Sequence, residues 1–252
     1  MRSDTHSGVA GRFPATRWSV IEAARSREPA QRERALETLF AAYWRPVYKY
    51  VRLRWNRPPA DAQDLTQAFF MELLERDLFS KFDPAKSRLR TYLRICVDSF
   101  AVNEEKAAHR QKRGGNAFHI ALDFEAAEGE LNAGTMDPAA IPSPESLEEF
   151  FEKEWVRSLF TLAVADLRKI CETRQKLTAF QIFEKYDLEG EENISYADLA
   201  QSFGMPVMDV TNALAWVRRE FRRIALERLR EICGSEEEFQ REARAVFGVT
   251  PK

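Results

Sequence analysis

The chain has 252 residues, of which 44% are hydrophobic and 31% are charged, and its formal net charge is −2. This composition excludes a disordered protein, and the length allows either one large domain or two small ones. No apolar run approaches the length of a membrane span and the N-terminus lacks the apolar core of a signal peptide, so we expect a cytoplasmic protein. The cysteines Cys96, Cys171 and Cys233 lie far apart, which favours reduced thiols over a disulfide framework.

The first part of the chain predicts packed helices. Between Gln31 and Trp55, apolar residues recur at intervals of three and four, which is the period of a helix with a wide buried face. Pro46 lies inside this stretch and predicts a kink or a break. Two consecutive prolines then interrupt the chain, and Asp61 is expected to cap the helix that follows.

That helix reads DAQDLTQAFFMELLE and has two different faces. One is apolar. The other carries carboxylates, an amide and a thioether at spacings of three and four residues, namely Asp61, Asp64, Gln67, Met71 and Glu75. A face of this kind is either solvated or binds a partner, and its period alone does not distinguish the two.

A basic stretch comes next. From Lys86 to Arg113 there are eight Lys or Arg residues against three Asp or Glu, and a helix is expected from Ser87 to Phe100. Such a surface can displace counterions from phosphates, although an ordinary solvated surface with extended cations is an equal alternative. The candidate nucleic-acid-binding residues are Arg88, Arg90, Tyr92, Arg94, Asn103, Lys106, Arg110, Lys112 and Arg113.

The composition changes at Gly114. From there to Glu154 the chain has ten acidic residues and a single basic one, Lys153, and it includes the run NAGTMDPAAIPSPES. No sustained helical period precedes Ser146, so we interpret residues 114–145 as a flexible acidic linker between two helical domains. Its charge also explains why a chain with basic segments has a net charge near zero.

The second informative stretch reads ISYADLAQSFGMPVMDVTNALAWVRREFRR. Ser195 is expected to cap a short helix, Gly204 to supply the positive φ of a tight turn, and Val207 to begin a longer helix. This is the pattern of a helix-turn-helix motif, whose second helix enters the major groove of DNA, although the arginines could also form a solvated face. The candidate DNA-binding residues are Ser195, Tyr196, Met208, Thr211, Asn212, Arg218, Arg219, Arg222 and Arg223.

With both motifs in place, the chain resembles the sigma-70 family of RNA polymerase sigma factors, specifically the small extracytoplasmic-function (ECF) type. The strings DAQDLTQAFFMELLE and KFDPAKSRLRTYL resemble region 2, and ISYADLAQSFGM with VRREFRR resembles region 4. The resemblance implies that the helix with Asp64 and Gln67 binds the clamp of the largest polymerase subunit. It also implies that the basic stretch melts and holds a −10-like element, and that the second motif reads a −35-like element and touches the polymerase flap.

The sequence departs from the family pattern in three places. Ala68 stands where the family usually has an acidic residue, and the helix that begins at Val207 is less basic than usual. The chain also continues beyond Leu229, where the family usually ends, in a helical pattern with Phe239, Ala243 and Phe247. This tail could pack on the second domain or act as a regulatory element.

The resemblance thus implies an all-α protein with two helical domains joined by the acidic linker. We expect a region 2-like domain at 13–113, a region 4-like helix-turn-helix domain at 146–232 and a C-terminal helical extension at 233–252. The implied partners are core RNA polymerase and promoter DNA, with an anti-sigma factor or another regulator as a further partner and no membrane.

Catalysis is not expected. The histidines His6, His109 and His119 form no metal-ligand pattern with the acidic pairs, there is no phosphate-binding glycine loop or nucleophile elbow, and no cofactor is implied. Two alternatives stay open. The protein could bind the polymerase as a regulator that no longer reads promoters, or it could be a stand-alone helix-turn-helix transcriptional regulator.

Overall fold

The structure is a computed structural model that describes residues 20–107, 122–133, 143–190 and 194–248. All regular secondary structure in these ranges is helical, which confirms the predicted all-α class. The helices are α1 (Val20–Ala24), α2 (Pro29–Arg54), α3 (Pro59–Glu75), α4 (Leu89–Ala107), α5 (Phe124–Asn132), α6 (Pro144–Thr173), α7 (Leu177–Phe183), α8 (Tyr196–Phe203), α9 (Val207–Ile232) and α10 (Glu236–Phe247). A 3₁₀ turn at Leu78–Lys81 follows α3, and a π-helical turn at Glu184–Leu188 follows α7.

Helix α2 is the centre of the first of two hydrophobic clusters. Its buried side chains, among them Phe40, Tyr43, Val47 and Tyr48, point to several sides of the helix because other helices pack around it. The helix runs through Pro46 without a break. Helices α1, α3, α4 and α5, the first half of α6, the end of α9, and α10 supply most of the rest of this cluster, and Phe79 and Phe82 after α3 add to it.

Two long helices connect this cluster to the second one. The first half of α6 places Trp155 and Leu159 in the first cluster, and its second half places Ala163 and Leu167 in the second. Helix α9 runs the other way, because its N-terminal two thirds belong to the second cluster and Leu229 belongs to the first. The two cores therefore meet within α6 and α9. The domain limits at 13–113, 146–232 and 233–252 stay predictions.

Helix α5 corrects the interpretation of residues 114–145 as a linker without helix. Asp123 caps the helix by accepting a hydrogen bond from the backbone N–H of Ala126, and Phe124, Ala127 and Leu131 are buried on one side. These apolar residues are separated by three and then four positions, which is about two turns of helix. So short a pattern does not stand out as a period among the surrounding acidic and small residues.

Charge holds α5 in place as well. The Glu128 carboxylate accepts hydrogen bonds from the Arg52 guanidinium at 2.6 Å and from the Tyr48 hydroxyl at 2.7 Å, both on α2. The hydrogen bonds from Arg52 hold the pKa of Glu128 below its usual value, against the opposing effect of burial. The acidic residues of this segment thus neutralise cations of the first cluster.

A buried ion-pair network joins three helices at the same place. Lys49 on α2 is only 1% exposed, and its ammonium group lies 2.7 Å from the Glu130 carboxylate on α5 and 2.5 Å from the Glu154 carboxylate on α6. Glu154 is buried too. Lysine and glutamate are almost never fully buried unless they are paired, so this network fixes α5 and α6 relative to α2.

The tail beyond Leu229 is helical, as its pattern predicts, but it does not pack only on the second cluster. Phe239 and Ala243 of α10 are buried in the first cluster. Phe247, at the end of the helix, lies with its ring 5.7 Å from the ring of Phe160 and touches both clusters. The extension therefore packs against the N-terminal half of the protein.

Candidate functional site

Helix α3 presents the predicted polar residues on its outer side. Pro59 is the first residue of the helix and Pro58 takes the capping position, so Asp61 lies in the first turn instead of capping it. Ala62, Thr66, Phe69, Phe70 and Leu73 face the core. We call the opposite side the α3 face; its members are Asp61, Asp64, Gln67, Met71 and Glu75.

The α3 face has no partner within the part of the chain that the structure describes. The side chains of Asp61, Asp64, Gln67 and Glu75 are exposed and form no ion pair or hydrogen bond there, and Met71 is half-buried. By contrast, Glu72 beside this stripe pairs with Arg76 at 3.2 Å. Carboxylates without internal partners keep their full charge for an incoming basic surface, so the arrangement is suited to binding.

The arginines of α4 lie in a different environment from the one expected. Arg90 is only 5% exposed; its guanidinium contacts the Glu242 carboxylate, lies 3.3 Å from Glu152 and covers the ring of Trp155. Burial by itself would lower the pKa of Arg90, but Glu242 and Glu152 raise it, so the side chain stays charged. Arg90 is not part of an open basic surface in this arrangement.

The neighbouring cations are also paired. Arg88 lies 3.2 Å from Glu242, and Arg94 lies 3.0 Å from Glu148 of α6. The sequence could not indicate these contacts, because the acidic partners follow more than fifty positions later in the chain. Arg88, Arg90 and Arg94, at the start of the basic stretch, therefore face acidic residues of α6 and α10.

Other predicted residues of this stretch have varied positions. Tyr92 is half-buried, and its hydroxyl donates a hydrogen bond to the carbonyl of Leu78 at 2.7 Å. Burial raises the pKa of Tyr92, which keeps the phenol protonated. Asn103 is exposed. Lys106 lies within α4, but its side chain is outside the described part, as are the residues Arg110, Lys112 and Arg113.

Exposed apolar residues on α4 were missed by the sequence reasoning. Ile95 is 51% exposed, and Val102 lies seven residues further along the same side of the helix and is exposed as well. Residues seven apart fall on one side of a helix. Their position outside the buried series Leu89, Leu93 and Val97 was a signal that could have revealed them.

The predicted turn between two helices is present in the C-terminal half. Ser195 caps α8, and a reciprocal hydrogen bond from its own backbone N–H to Asp198 completes a capping box. Gly204 ends α8 with φ of 62°, and α9 begins at Val207. These local predictions are confirmed. The assignment of a DNA-binding helix-turn-helix motif stays a prediction.

One side of α9 is available to a partner. Met208 is 68% exposed, and Thr211 and Asn212 are exposed beside it. Counting onward by helical turns, Arg219 and Arg222 follow on the same side, and both are exposed. We call these five residues the α9 face.

The remaining residues of the predicted set are engaged within the protein. Arg218 is held by Asp187 at 2.8 Å and contacts the ring of Tyr186, and the ring of Tyr196 packs on the same Tyr186. Arg223 pairs with Glu220 and Glu227 on its own helix. The nine predicted residues thus comprise the exposed α9 face, the Ser195 cap, and three residues that contact other side chains. Within the α9 face, Thr211 donates a hydrogen bond to the Val207 carbonyl and Arg222 donates one to the Phe247 carbonyl at 3.5 Å.

Metal and membrane sites have no support in the described ranges. Within them, no three His, Cys, Asp or Glu side chains are grouped so that they could hold a metal ion. None of the described helices is both long and apolar enough to span a bilayer.

Comparison with known proteins gives one finding. Residues 39–112 match the family model described as sigma-70 region 2, a range that includes most of α2, all of α3 and α4, and the whole α3 face. No curated protein and no solved structure matches the chain. Residues 39–112 are thus similar to sigma-70 region 2.

Proposed function

We propose that the protein is a sigma factor of the ECF type, which binds core RNA polymerase and directs it to specific promoters. The α3 face carries this proposal: four of its five side chains are exposed, its charged groups pair with no described residue, and it lies inside the segment that matches region 2. The region 2 family implies contacts with core polymerase and with promoter DNA.

The α3 face supplies the polymerase contact in this proposal. Asp64 and Gln67 lie one turn apart at its centre, with Met71 a further turn along. The carboxylate and amide accept and donate hydrogen bonds at a basic, polar surface, and the thioether adapts to an irregular apolar one. Because no residue in the described ranges holds these charged groups, little intramolecular contact has to be broken there when the clamp binds.

The DNA contacts are assigned to α4 and α9. Asn103, Ile95 and Val102 form the part of α4 that is already open to a −10-like element, and the remaining predicted residues up to Arg113 would extend it. On α9, the α9 face would read a −35-like element, with Asn212 suited to adenine and Thr211 to a thymine methyl group. Arg219 and Arg222 would contact phosphates and position the helix.

The polymerase contact is tested with the double variant Asp64→Ala/Gln67→Ala. We expect it to bind purified core RNA polymerase at least about tenfold more weakly than the wild-type protein, as is typical when the central side chains of an interface are removed. Its thermal stability should not change, because both side chains are exposed and neither pairs with any residue that the structure describes. Glu33→Ala/Glu37→Ala, on an exposed side of α2, is the matched control and should bind normally.

Transcription separates the proposal from its alternatives. Reconstituted holoenzyme should give promoter-dependent transcripts on a genomic DNA library. Core binding without any such transcript would favour a polymerase-binding regulator, and sequence-specific DNA binding without core binding would favour a stand-alone regulator. Equal polymerase affinity of the double variant and the wild-type protein would remove the assignment of the α3 face.

A further inference from the structure

Helix α10 carries two carboxylates that are buried against α4. Glu238 and Glu242 are one turn apart, and both are almost completely inaccessible to solvent, with Glu242 only 1% exposed. Acidic side chains are seldom buried to this extent without compensating partners. Two in one short helix show that α10 is held in place by what these carboxylates contact.

The two carboxylates bind groups that are typical ligands of phosphate. Glu238 accepts a hydrogen bond at 2.9 Å from the backbone N–H of Leu89, the first residue of α4, and another at 2.7 Å from the N–H of Gly234. Glu242 contacts the guanidinium groups of both Arg88 and Arg90. A helix N-terminus and paired arginines are the chemistry that proteins use to bind phosphate oxygens.

Helix α6 also places carboxylates against the arginines of α4. Glu152 lies 3.3 Å from Arg90 and 4.0 Å from Arg88, and Glu148 lies 3.0 Å from Arg94. The described acidic side chains that pack on this end of α4 thus come from α6 and α10. Arg88, Arg90 and Arg94, which the sequence offers to DNA, are thus paired with acidic side chains of the protein itself.

We propose that α10 is an intramolecular cover that occupies a phosphate-binding site on α4 and competes with the DNA backbone for Arg88 and Arg90. The inference rests on the proposed role of α4 in promoter binding and adds a means of regulating it. In the closed state that the structure shows, Glu238 and Glu242 stand where phosphate oxygens would bind. In the open state, α10 leaves and the arginines and the α4 N-terminus contact DNA.

The glycine before α10 provides a test that changes no charge. A Cβ atom at Gly234 would lie 2.7 Å from a ring carbon of Phe82, 3.1 Å from the Glu238 carboxylate and 3.2 Å from Pro84. The first distance is shorter than real Cβ atoms show and the other two are tight, so Gly234→Ala requires either the Phe82 ring or the turn before α10 to shift. We expect it to weaken the packing of α10 on the start of α4. Gly129→Ala is the matched control, because nothing lies within 4 Å of its added methyl group.

The second test removes charge. Glu242→Gln removes the negative charge that Glu242 places against Arg88 and Arg90, and Glu237→Gln makes the same change at an exposed position of α10. Binding of a short fluorescein-labelled single-stranded DNA is measured by fluorescence anisotropy at several salt concentrations. Gly234→Ala and Glu242→Gln should bind about tenfold more tightly than wild type. The slope of log affinity against log salt should become steeper by about 1.4, because two more cations contact phosphates of a single strand.

The controls define the outcomes that overturn the proposal. Gly129→Ala and Glu237→Gln should stay within about twofold of the wild-type affinity. The proposal is wrong if Gly234→Ala and Glu242→Gln bind as the wild type does, if Glu237→Gln has as large an effect as Glu242→Gln, or if no variant binds DNA. Circular dichroism checks that each variant is folded.

A measurement on the wild-type protein requires no substitution. Hydrogen exchange of the α10 amides should become faster when the protein is saturated with the same DNA, because binding displaces the helix; unchanged or slower exchange would contradict the cover. Neither experiment contains polymerase. The cover can therefore fail while core binding through the α3 face holds, and core binding can fail while DNA still releases α10.

Discussion

Through Glu128, we expect pH to change the stability of the fold. The pKa of Glu128 lies below the usual value of 4.5 because Arg52 donates hydrogen bonds to the carboxylate. Between pH 4.5 and the lower folded pKa, the unfolded chain binds a proton at this group and the folded protein does not. Stability from Glu128 is therefore complete above pH 4.5 and is lost as the pH falls through the folded pKa.

Glu128→Gln tests this directly. At neutral pH we expect the variant to lose about 1–3 kcal/mol of unfolding free energy in urea, since a charged hydrogen bond is replaced by a weaker neutral one. The difference from wild type should shrink as the pH is lowered below 4.5. Glu125→Gln, an exposed change on the same helix, should shift stability by less than about 0.5 kcal/mol at any pH. A pH-independent difference would contradict the ionic origin of the effect.

Arg90 shows what local sequence cannot reveal about single residues. Its neighbours Leu89 and Leu93 are buried, yet a cation beside an apolar row is normally expected to reach solvent. Its burial depends on Glu242, which lies 152 positions further along the chain, and on the ring of Trp155. Contacts across such sequence distances leave no periodic signal in the sequence. The α4 arginines were therefore predicted to bind DNA, and their acidic partners on α6 and α10 were not foreseen.

At the scale of single elements, the substitution Gly129→Ala tests whether residue 129 lies in a helix. Gly129 lies inside α5, is exposed and has nothing within 4 Å of the position of a Cβ. Gly129→Ala should therefore raise the unfolding free energy by about 0.5–1 kcal/mol, because alanine loses less conformational entropy than glycine in a helix. Differential scanning calorimetry should show a higher melting temperature.

At Gly204, substitution by alanine is expected to lower the unfolding free energy instead of raising it. Gly204 ends α8 with φ of 62°, and space around it is also open. Gly204→Ala should lower the unfolding free energy by about 1–2 kcal/mol, since an L-residue is strained in the left-handed region. Stabilisation at position 204, or destabilisation at position 129, would show that the local backbone differs from the one described.

The two elements also differ in how readily the sequence predicts them. Helix α8 has its own start and stop signals, Ser195 with Asp198 and then Gly204, and these act within a few residues. Residue spacing alone likewise predicted which side chains form the α3 face. Helix α5 depends on Arg52 and Tyr48 of α2 to hold its acidic residues, and α6 and α9 extend through both clusters because of distant packing. Tertiary contacts of this kind override local composition.

For the whole molecule, the continuity of α6 and α9 decides how the two clusters unfold. If the second cluster unfolded alone, α6 would have to end near Leu159 and α9 would have to lose most of its length. New helix ends leave backbone groups without partners, and the separation would expose Phe160 and Leu226 at the junction. These costs couple the two clusters, although the sequence predicts separate domains.

Leu167→Ala measures this coupling. Leu167 is fully buried in the second cluster, so its truncation should cost about 2–5 kcal/mol. If the clusters are coupled, the free energy of opening measured at the slowest-exchanging amides of α2 should fall by the same amount as that measured at those of α9. Both groups would then exchange through one global opening. Arg168→Ala, which removes a surface ion pair with Glu172, should change neither group. If the α2 amides keep their wild-type protection while those of α9 lose theirs, the clusters unfold independently, and the long helices break at the junction between Leu159 and Ala163.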